Sequence, residues 1–403
     1  MIFFVTSLSI LIKILFVYNL AVSKSFKRSI IYSFIYSILF WSFLFSLLPL
    51  SKFETSSNFL DFVFILIIVL CFSVLHTVYA ITFLSNNIFK KYLSHVKYNI
   101  FVKSFIFAFL LCVSELFISS LMSVFTNGSY TPDYAFVNVG YALSYSPFIY
   151  IAKYLHVYGL TFLLGIIIYL ITNSKSKINY ILDLNPLLLS TLKIKTKLNL
   201  KFKILHILFF LFCSSFYFSQ DKNILEKLPD NILVKNEDAR YVTSKNRDKL
   251  AKRYDLIVDG NTEYFDGNLY NVSHIYDNKN GIEYKNYKRF LMPFGEYMPS
   301  YFEFVKYFNA DIYNSIKNRH TYTSVENKNN VFSFDGKVYA TLLCSDAWSP
   351  ISTYKIKKQN PDILILQRRE VLFHNSPIYQ VNVNMWKNIM VRYMSVPVID
   401  VNN

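Results

Sequence analysis

The sequence predicts two parts: a multi-helix transmembrane bundle over residues 1–220 and, over 221–403, one α/β layered domain lying outside the cytoplasm. Three observations carry this reading. Six long apolar stretches fill the first half. Charged residues, Asn, Asp and Pro reach the density of a water-soluble fold only from about Asp221 onward. Past that point short β-type runs alternate with longer polar stretches, the pattern of a sheet covered by helices.

A membrane-crossing helix needs roughly 20 mainly apolar residues. Stretches at about 2–22, 29–50, 59–85, 99–125, 157–173 and 202–220 qualify. A soluble core built from all six would keep almost no polar surface. Lys24, Lys27 and Arg28 follow the first stretch instead of preceding it, and no small-residue cleavage site is evident, so an uncleaved anchor is expected.

Basic loops stay in the cytoplasm. Lys24/Lys27/Arg28, then Lys90/Lys91/Lys97, then the run from Lys175 to Lys203 mark alternate loops, while Lys52 is offset by Glu54 and Asp133 stands away from basic residues. This pattern puts the second half on the extracytoplasmic side. The net charge of +16 is read the same way, as topology and attraction to anionic lipid. No basic stripe with interleaved aromatics suggests nucleic acid. A monomer in the bilayer is expected.

Within the bundle, Glu115 sits in an apolar helix, where a helix–helix hydrogen bond is expected of it. The loop 126–156 carries Gly140-Tyr141-Ala142-Leu143-Ser144-Tyr145-Ser146-Pro147, read as a small amphipathic patch on the bilayer surface.

In the second half the clearest strand-like runs are Asn231–Val234, Tyr254–Asp259, Lys337–Cys344, Asp362–Gln367 and Val396–Val401. Layered α/β folds build sites at the carboxyl ends of strands. Glu237 follows the first run and Cys344 ends the third. Of the four cysteines, Cys71, Cys112 and Cys213 fall in apolar stretches, so Cys344 is alone in the polar half. It is a packed core residue or a nucleophile. Ser345-Asp346-Ala347-Trp348-Ser349-Pro350 reads as a helix start, whose dipole would favour a thiolate. A thiol nucleophile also needs a base and a donor for the developing oxyanion. Residue type alone does not single out one Glu and one Lys for those tasks.

One segment does. Tyr287-Lys288-Arg289-Phe290-Leu291-Met292-Pro293-Phe294-Gly295-Glu296-Tyr297-Met298-Pro299 resembles the signature of the apolipoprotein N-acyltransferases, where a lysine precedes Leu-Val-Pro-Phe-Gly-Glu-(aromatic)-x-Pro. Ile232-Leu233-Val234-Lys235-Asn236-Glu237 is similar to the family strand that ends in Trp-Pro-Glu. Leu343-Cys344-Ser345-Asp346 is similar to Ile-Cys-Tyr-Glu, and Tyr158-Gly159-Leu160-Thr161-Phe162-Leu163 to Tyr-Gly-Leu-Ser-Phe-Leu. Gly140-Tyr141 stands where the family has its Gly-Tyr loop.

The resemblance implies a membrane-anchored member of the nitrilase, or carbon–nitrogen hydrolase, superfamily with an αββα sandwich. It implies Cys344 as nucleophile, Glu237 as general base and Lys288 as oxyanion stabiliser, with Glu296 and Asp346 in support. The implied reaction moves an acyl chain from a glycerophospholipid through a Cys thioester to the N-terminal amine of a diacylglyceryl-cysteine lipoprotein. A membrane-anchored amidase with the same triad, or a non-catalytic protein of the same fold, are the alternatives.

Departures from the family pattern are also expected to matter. Only Asp221–Asn236 precedes the base, and the chain ends at Asn403 where the family continues, so a shortened sandwich is expected. Lys235-Asn236 replaces Trp-Pro. Arg368-Arg369-Glu370 replaces Ser-Asn-Asp and is read as a solvated turn in preference to a phosphate clamp. Seven scattered histidines and nine glycines predict no metal site, no phosphate loop and no cofactor.

Overall fold

The computed structural model describes residues 2–46, 58–85, 99–127, 134–135, 138–173, 228–237, 239–291, 330–368 and 377–401, with scattered residues between 296 and 325. Among the described residues the first half holds five α-helices: α1 Ile2–Ala21, α2 Phe26–Ser46, α3 Asn58–Leu75, α4 Asn99–Asn127 and α5 Ala152–Asn173. Apolar side chains alone would not suffice, because these helices also carry many serines and threonines. Their hydroxyls bond back to the preceding turn, as in Ser33 to Ser29 O at 2.8 Å, Ser73 to Val69 O at 2.7 Å and Ser114 to Leu110 O at 2.8 Å. These three hydroxyls are thus satisfied inside their own helices.

Ile100–Val124 and Pro147–Asn173 are long and apolar enough to cross a membrane, and Val5–Ala21 and Val69–Phe83 are shorter apolar helices. The sixth apolar stretch, 202–220, and the basic loops at 90–97 and 175–203 lie outside the described residues.

The patch expected on the bilayer surface is instead part of the core. Val139–Leu143 forms a buried 3-10 turn against α5. A Cβ on Gly140 would lie 2.4 Å from the Val157 carbonyl oxygen and 2.8 Å from the Thr161 nitrogen, so backbone contact requires glycine here. Glu115 grips this turn, its carboxylate accepting the Val139 N–H at 2.8 Å, and it also meets Tyr79 of the neighbouring helical segment His76–Phe83. Asn138 completes the grip, its Oδ1 accepting from Gly140 N at 2.8 Å and from the Thr161 hydroxyl.

The second half is a sandwich of two four-stranded sheets. The first orders β1 Ile232–Val234, β2 Leu256–Phe265, β3 Asn268–Asp277 and β4 Ile282–Tyr287, with β1 parallel to β2 and the others antiparallel. The second orders β5 Val331–Phe334, β6 Lys337–Leu343, β7 Ile363–Gln367 and β8 Val398–Val401, where only β5 to β6 is antiparallel. Two hairpins close on Asp266-Gly267 and Asp335-Gly336, all four residues at positive φ. That backbone matches strand twist and suits Asp-Gly.

Period-two alternation divides each strand between two cores. Leu256 and Val258 face the second sheet, where Phe332, Tyr339, Ile363 and Ile365 meet them. Ile257 faces outward, packing with Val242, Leu250 and Tyr276 under the short helix α6 Arg247–Ala251. On the other flank Ala340, Leu342, Leu364 and Leu366 point away from the sandwich, toward α8 Pro377–Met394. Those residues form one continuous cluster with Val17, Leu111, Tyr141 and Leu160 of the first half. The layers therefore run helix, sheet, sheet, helix, with the outer layer shared with the bundle.

A candidate active site at the strand ends

Three strands end at the site within a few residues of one another. Chain leaving β1 is held by Lys235 N donating to Val258 O at 2.8 Å and by the Gln367 side-chain amide donating to Lys235 O at 2.6 Å. This delivers Glu237, which is 5 % exposed. Chain leaving β4 is held by Lys288 N donating to Asn271 O at 2.8 Å, which delivers Lys288 at 1 % exposure. Chain leaving β6 turns sharply at Cys344, whose φ is 40°. That left-handed conformation costs a non-glycine residue on the order of 1–3 kcal/mol and is typical of functional turns.

The structure brings together the residues that the motifs singled out. Lys288 Nζ lies 2.6 Å from Glu237 Oε1 and 2.7 Å from Glu296 Oε1. Cys344 is hydrogen-bonded to Glu237. Glu296 is buried, and its carbonyl accepts from Tyr322 N at 3.0 Å. An ammonium has three donors. Two are directed to the carboxylates of Glu237 and Glu296.

Asp346 holds the backbone that follows Lys288. It accepts from Arg289 N at 3.2 Å and from Phe290 N at 2.6 Å. The Ser345 hydroxyl donates to Phe290 O. Together they clip the nucleophile turn onto the segment that starts with Lys288. The same turn reaches the bundle, since Ala135 N donates to Trp348 O at 3.1 Å and Tyr141 meets the Trp348 ring edge-on.

Electrostatics follow from burial and this crowding. Burial raises the Glu237 carboxyl and Glu296 raises it further, with Lys288 opposing, so it is pushed up to about 7. Burial alone would lower Lys288, but Glu237 and Glu296 overcome it and hold the ammonium charged. Burial raises Asp346 to about 7 against the opposing pull of Lys288 and the two backbone N–H groups. The Cys344 thiol is also raised, by burial first and then by Glu237. This corrects the expected dipole-stabilised thiolate. Cys344–Trp348 is a 3-10 turn, and the α-helix α7 Pro350–Lys357 begins only after Ser349, whose side chain caps it. Cys344 is thus a neutral thiol hydrogen-bonded to a carboxyl near neutrality, an arrangement in which a proton can pass between the two.

Arg368 is no solvated turn. It is 5 % exposed and forms a two-pronged ion pair with Asp400 of β8, at 2.6 and 3.0 Å, with Lys387 on the same carboxylate at 2.9 Å. Arg369 and Glu370 lie outside the described residues.

Sequence reasoning missed Asn271. Its side-chain amide donates to Glu237 Oε1 at 2.7 Å and to Glu296 Oε1 at 3.0 Å, bridging the same two carboxylate oxygens that the ammonium holds. It also missed two polar clamps between the sheets: Ser273 to Gln367 at 2.6 Å and Asn286 to the Thr341 hydroxyl at 2.6 Å. No His, Cys, Asp or Glu grouping among the described residues could hold a metal ion.

Among solved structures the chain is similar to a carbon-nitrogen hydrolase from Helicobacter pylori G27, at 15% identity and a TM-score of 0.29, covering 43% of this chain and 61% of that one. It is also similar to a mutant of the amidase from Nesterenkonia sp. AN1, which carries the product of Michael addition of acrylamide at its active-site cysteine. There the identity is 10% and the TM-score 0.28, over 43% of this chain and 65% of that one. Both neighbours are nitrilase-superfamily proteins, and the chain spans less than two thirds of the length of either. No family model matches the chain, and no curated protein matches it.

Proposed function

We propose that the chain is a membrane-embedded N-acyltransferase of the nitrilase superfamily, working on the extracytoplasmic side of a bacterial inner membrane. The observation that carries this reading is the Lys288 ammonium held between Glu237 and Glu296, with Cys344 hydrogen-bonded to Glu237. A cysteine, a base near neutrality and a fixed cation are what acyl transfer through a thioester requires. The continuous core between the catalytic turn and the helices supports lipid-borne substrates over soluble ones.

In the proposed reaction Cys344 Sγ attacks the ester carbonyl of a glycerophospholipid while Glu237 takes the thiol proton. The new oxyanion faces the remaining Lys288 N–H. The C–O bond then breaks, and Glu237 returns the proton to the departing lysophospholipid oxygen. In the second half the free amine of a diacylglyceryl-cysteine lipoprotein attacks the thioester, Glu237 takes a proton from nitrogen, and the C–S bond breaks to restore the thiol. Asn271 keeps both carboxylates aimed at the ammonium throughout.

The test is incubation of the purified protein with phosphatidylethanolamine carrying a labelled acyl chain. A hydroxylamine-sensitive label on Cys344, absent in Cys344→Ala and passed to a lipopeptide amine, is the expected result. Label that is lost to water and never to an amine would favour an amidase-type hydrolase. Folded protein that takes up no label from donors of several headgroups would overturn the acyltransferase reading.

A further inference from the structure

The helices α1 and α2 enclose a cleft of about 170 Å³. On α1 its wall is Ile12, Leu15, Phe16 and Asn19; on α2 it is Tyr32, Ile35, Tyr36 and Leu39. Both sets repeat at i, i+3, i+4 and i+7, so each is a single helix face and the cleft runs lengthwise along the pair. Seven residues of helix make it roughly 10 Å long, against roughly 15 Å for the hydrocarbon of one leaflet.

The cleft is graded along its length. Its floor is apolar, with Phe16 and Tyr36 stacked at 4.0 Å, and its α2 lip leaves Ile35 and Leu39 exposed. Its polar residues, Asn19 and Tyr32, lie together at the end nearer the turn that joins the two helices. Arg28 stands one turn before Tyr32 on the same face, and Lys24, Lys27 and Arg28 are all exposed. Negative charge is missing from both helices, since the first acidic residue of the chain is Glu54.

The geometry points to a binding site for one anionic phospholipid, its acyl chain along the α1–α2 cleft and its phosphate among Lys24, Lys27 and Arg28. The inference rests on the membrane placement proposed above but not on the acyl-transfer chemistry. The bound lipid is no substrate. It lies at the end of α1 marked by the basic turn, which the loop charges assign to the cytoplasmic leaflet, whereas the nucleophile belongs to the opposite side. Charge complementarity selects the headgroup: each cation near an anionic lipid surface contributes roughly fivefold in affinity, about a hundredfold for three.

The experiment uses full-length Cys344→Ala protein in detergent, mixed with phosphatidylglycerol or phosphatidylcholine, and counts retained lipid by native mass spectrometry. One phosphatidylglycerol per chain is expected, held at least tenfold more tightly than phosphatidylcholine. Lys24→Gln/Lys27→Gln/Arg28→Gln should erase the preference, and Ile35→Trp, which fills the cleft from its exposed lip, should weaken retention at unchanged charge. Equal retention of both lipids, or either variant behaving as the parent, overturns the site. So does full displacement by soluble glycerol phosphate, which would reduce it to a phosphate patch. Because Cys344→Ala forms no thioester, a failure here is separate from a failure of the proposed reaction.

Discussion

Removing the ammonium at the centre of the site, in Lys288→Met, tests the electrostatic logic most directly. Nζ is 2.6 Å from one buried carboxylate oxygen and 2.7 Å from another, and Asn271 alone would remain between them. Breaking a buried ion pair by deleting one partner costs about 3–5 kcal/mol. The site can lower this cost by holding a proton. Glu237, already pushed up to about 7, is the group placed to take it. One pKa unit corresponds to about 1.4 kcal/mol, so 3 kcal/mol moves the carboxyl by roughly two units. The assay is the rate of Cys344 alkylation by iodoacetamide, followed by mass spectrometry from pH 5 to 9. In the parent the rate should rise with pH through about 7, as Glu237 ionises and can accept the thiol proton. In Lys288→Met the rise should shift upward by about two units, lowering the rate at pH 7 roughly a hundredfold. Glu296→Gln removes a negative neighbour that raises Glu237, so its rise should shift downward. Midpoints that stay put, or that move the same way in both variants, would refute the reasoning.

Three further outcomes are expected. Asp346 binds its proton more tightly folded than unfolded, since burial lifts it from 3.8 to about 7, so its contribution to stability is complete below about 4 and is lost as pH rises through 7. Asp346→Asn should flatten the dependence of the melting temperature on pH over that window. Gly140→Ala forces a Cβ to 2.4 Å from the Val157 carbonyl oxygen, and chemical denaturation should register about 1–3 kcal/mol of lost stability together with slower Cys344 alkylation. Arg368→Met leaves the buried Asp400 with Lys387 alone, and an equilibrium denaturation midpoint should reveal a loss of about 3 kcal/mol with the alkylation midpoint unmoved.

The strands that read clearly from sequence are those with two buried faces. Ile363–Leu366 and Leu256–Val258 are unbroken apolar runs because sheet lies on one side and helix on the other. The strands β3, β4 and β5 went unread for the converse reason. Their sequences, such as Ile282–Tyr287 with Glu283, Lys285 and Asn286, spend one face on solvent or on polar clamps. The Asp-Gly pairs at 266–267 and 335–336 mark both tight hairpins and were the usable signal. Glu237, Lys288, Glu296 and Cys344 were legible only through motif resemblance, because a lone Glu or Lys carries no local signature of its role. Asn271 had not even that. Its importance comes from standing across from Lys288 in a register that no single strand encodes. Arg368 was misread because a charged pair looks solvated until its partner, Asp400 of the last strand, is known.

The continuity of the core, from Val17 and Leu111 of the helices to Leu342, Trp348 and Trp386 of the sandwich, bears on how this protein can be handled. Cutting the chain between its halves would strip apolar cover from Tyr141 and Trp348 alike, so the polar half should not fold alone. Its unfolding should be a single cooperative event in which helices and sandwich are lost together. The Cys344 turn is then only as durable as the helices packed against it, and whatever loosens them should also change the rate of Cys344 alkylation.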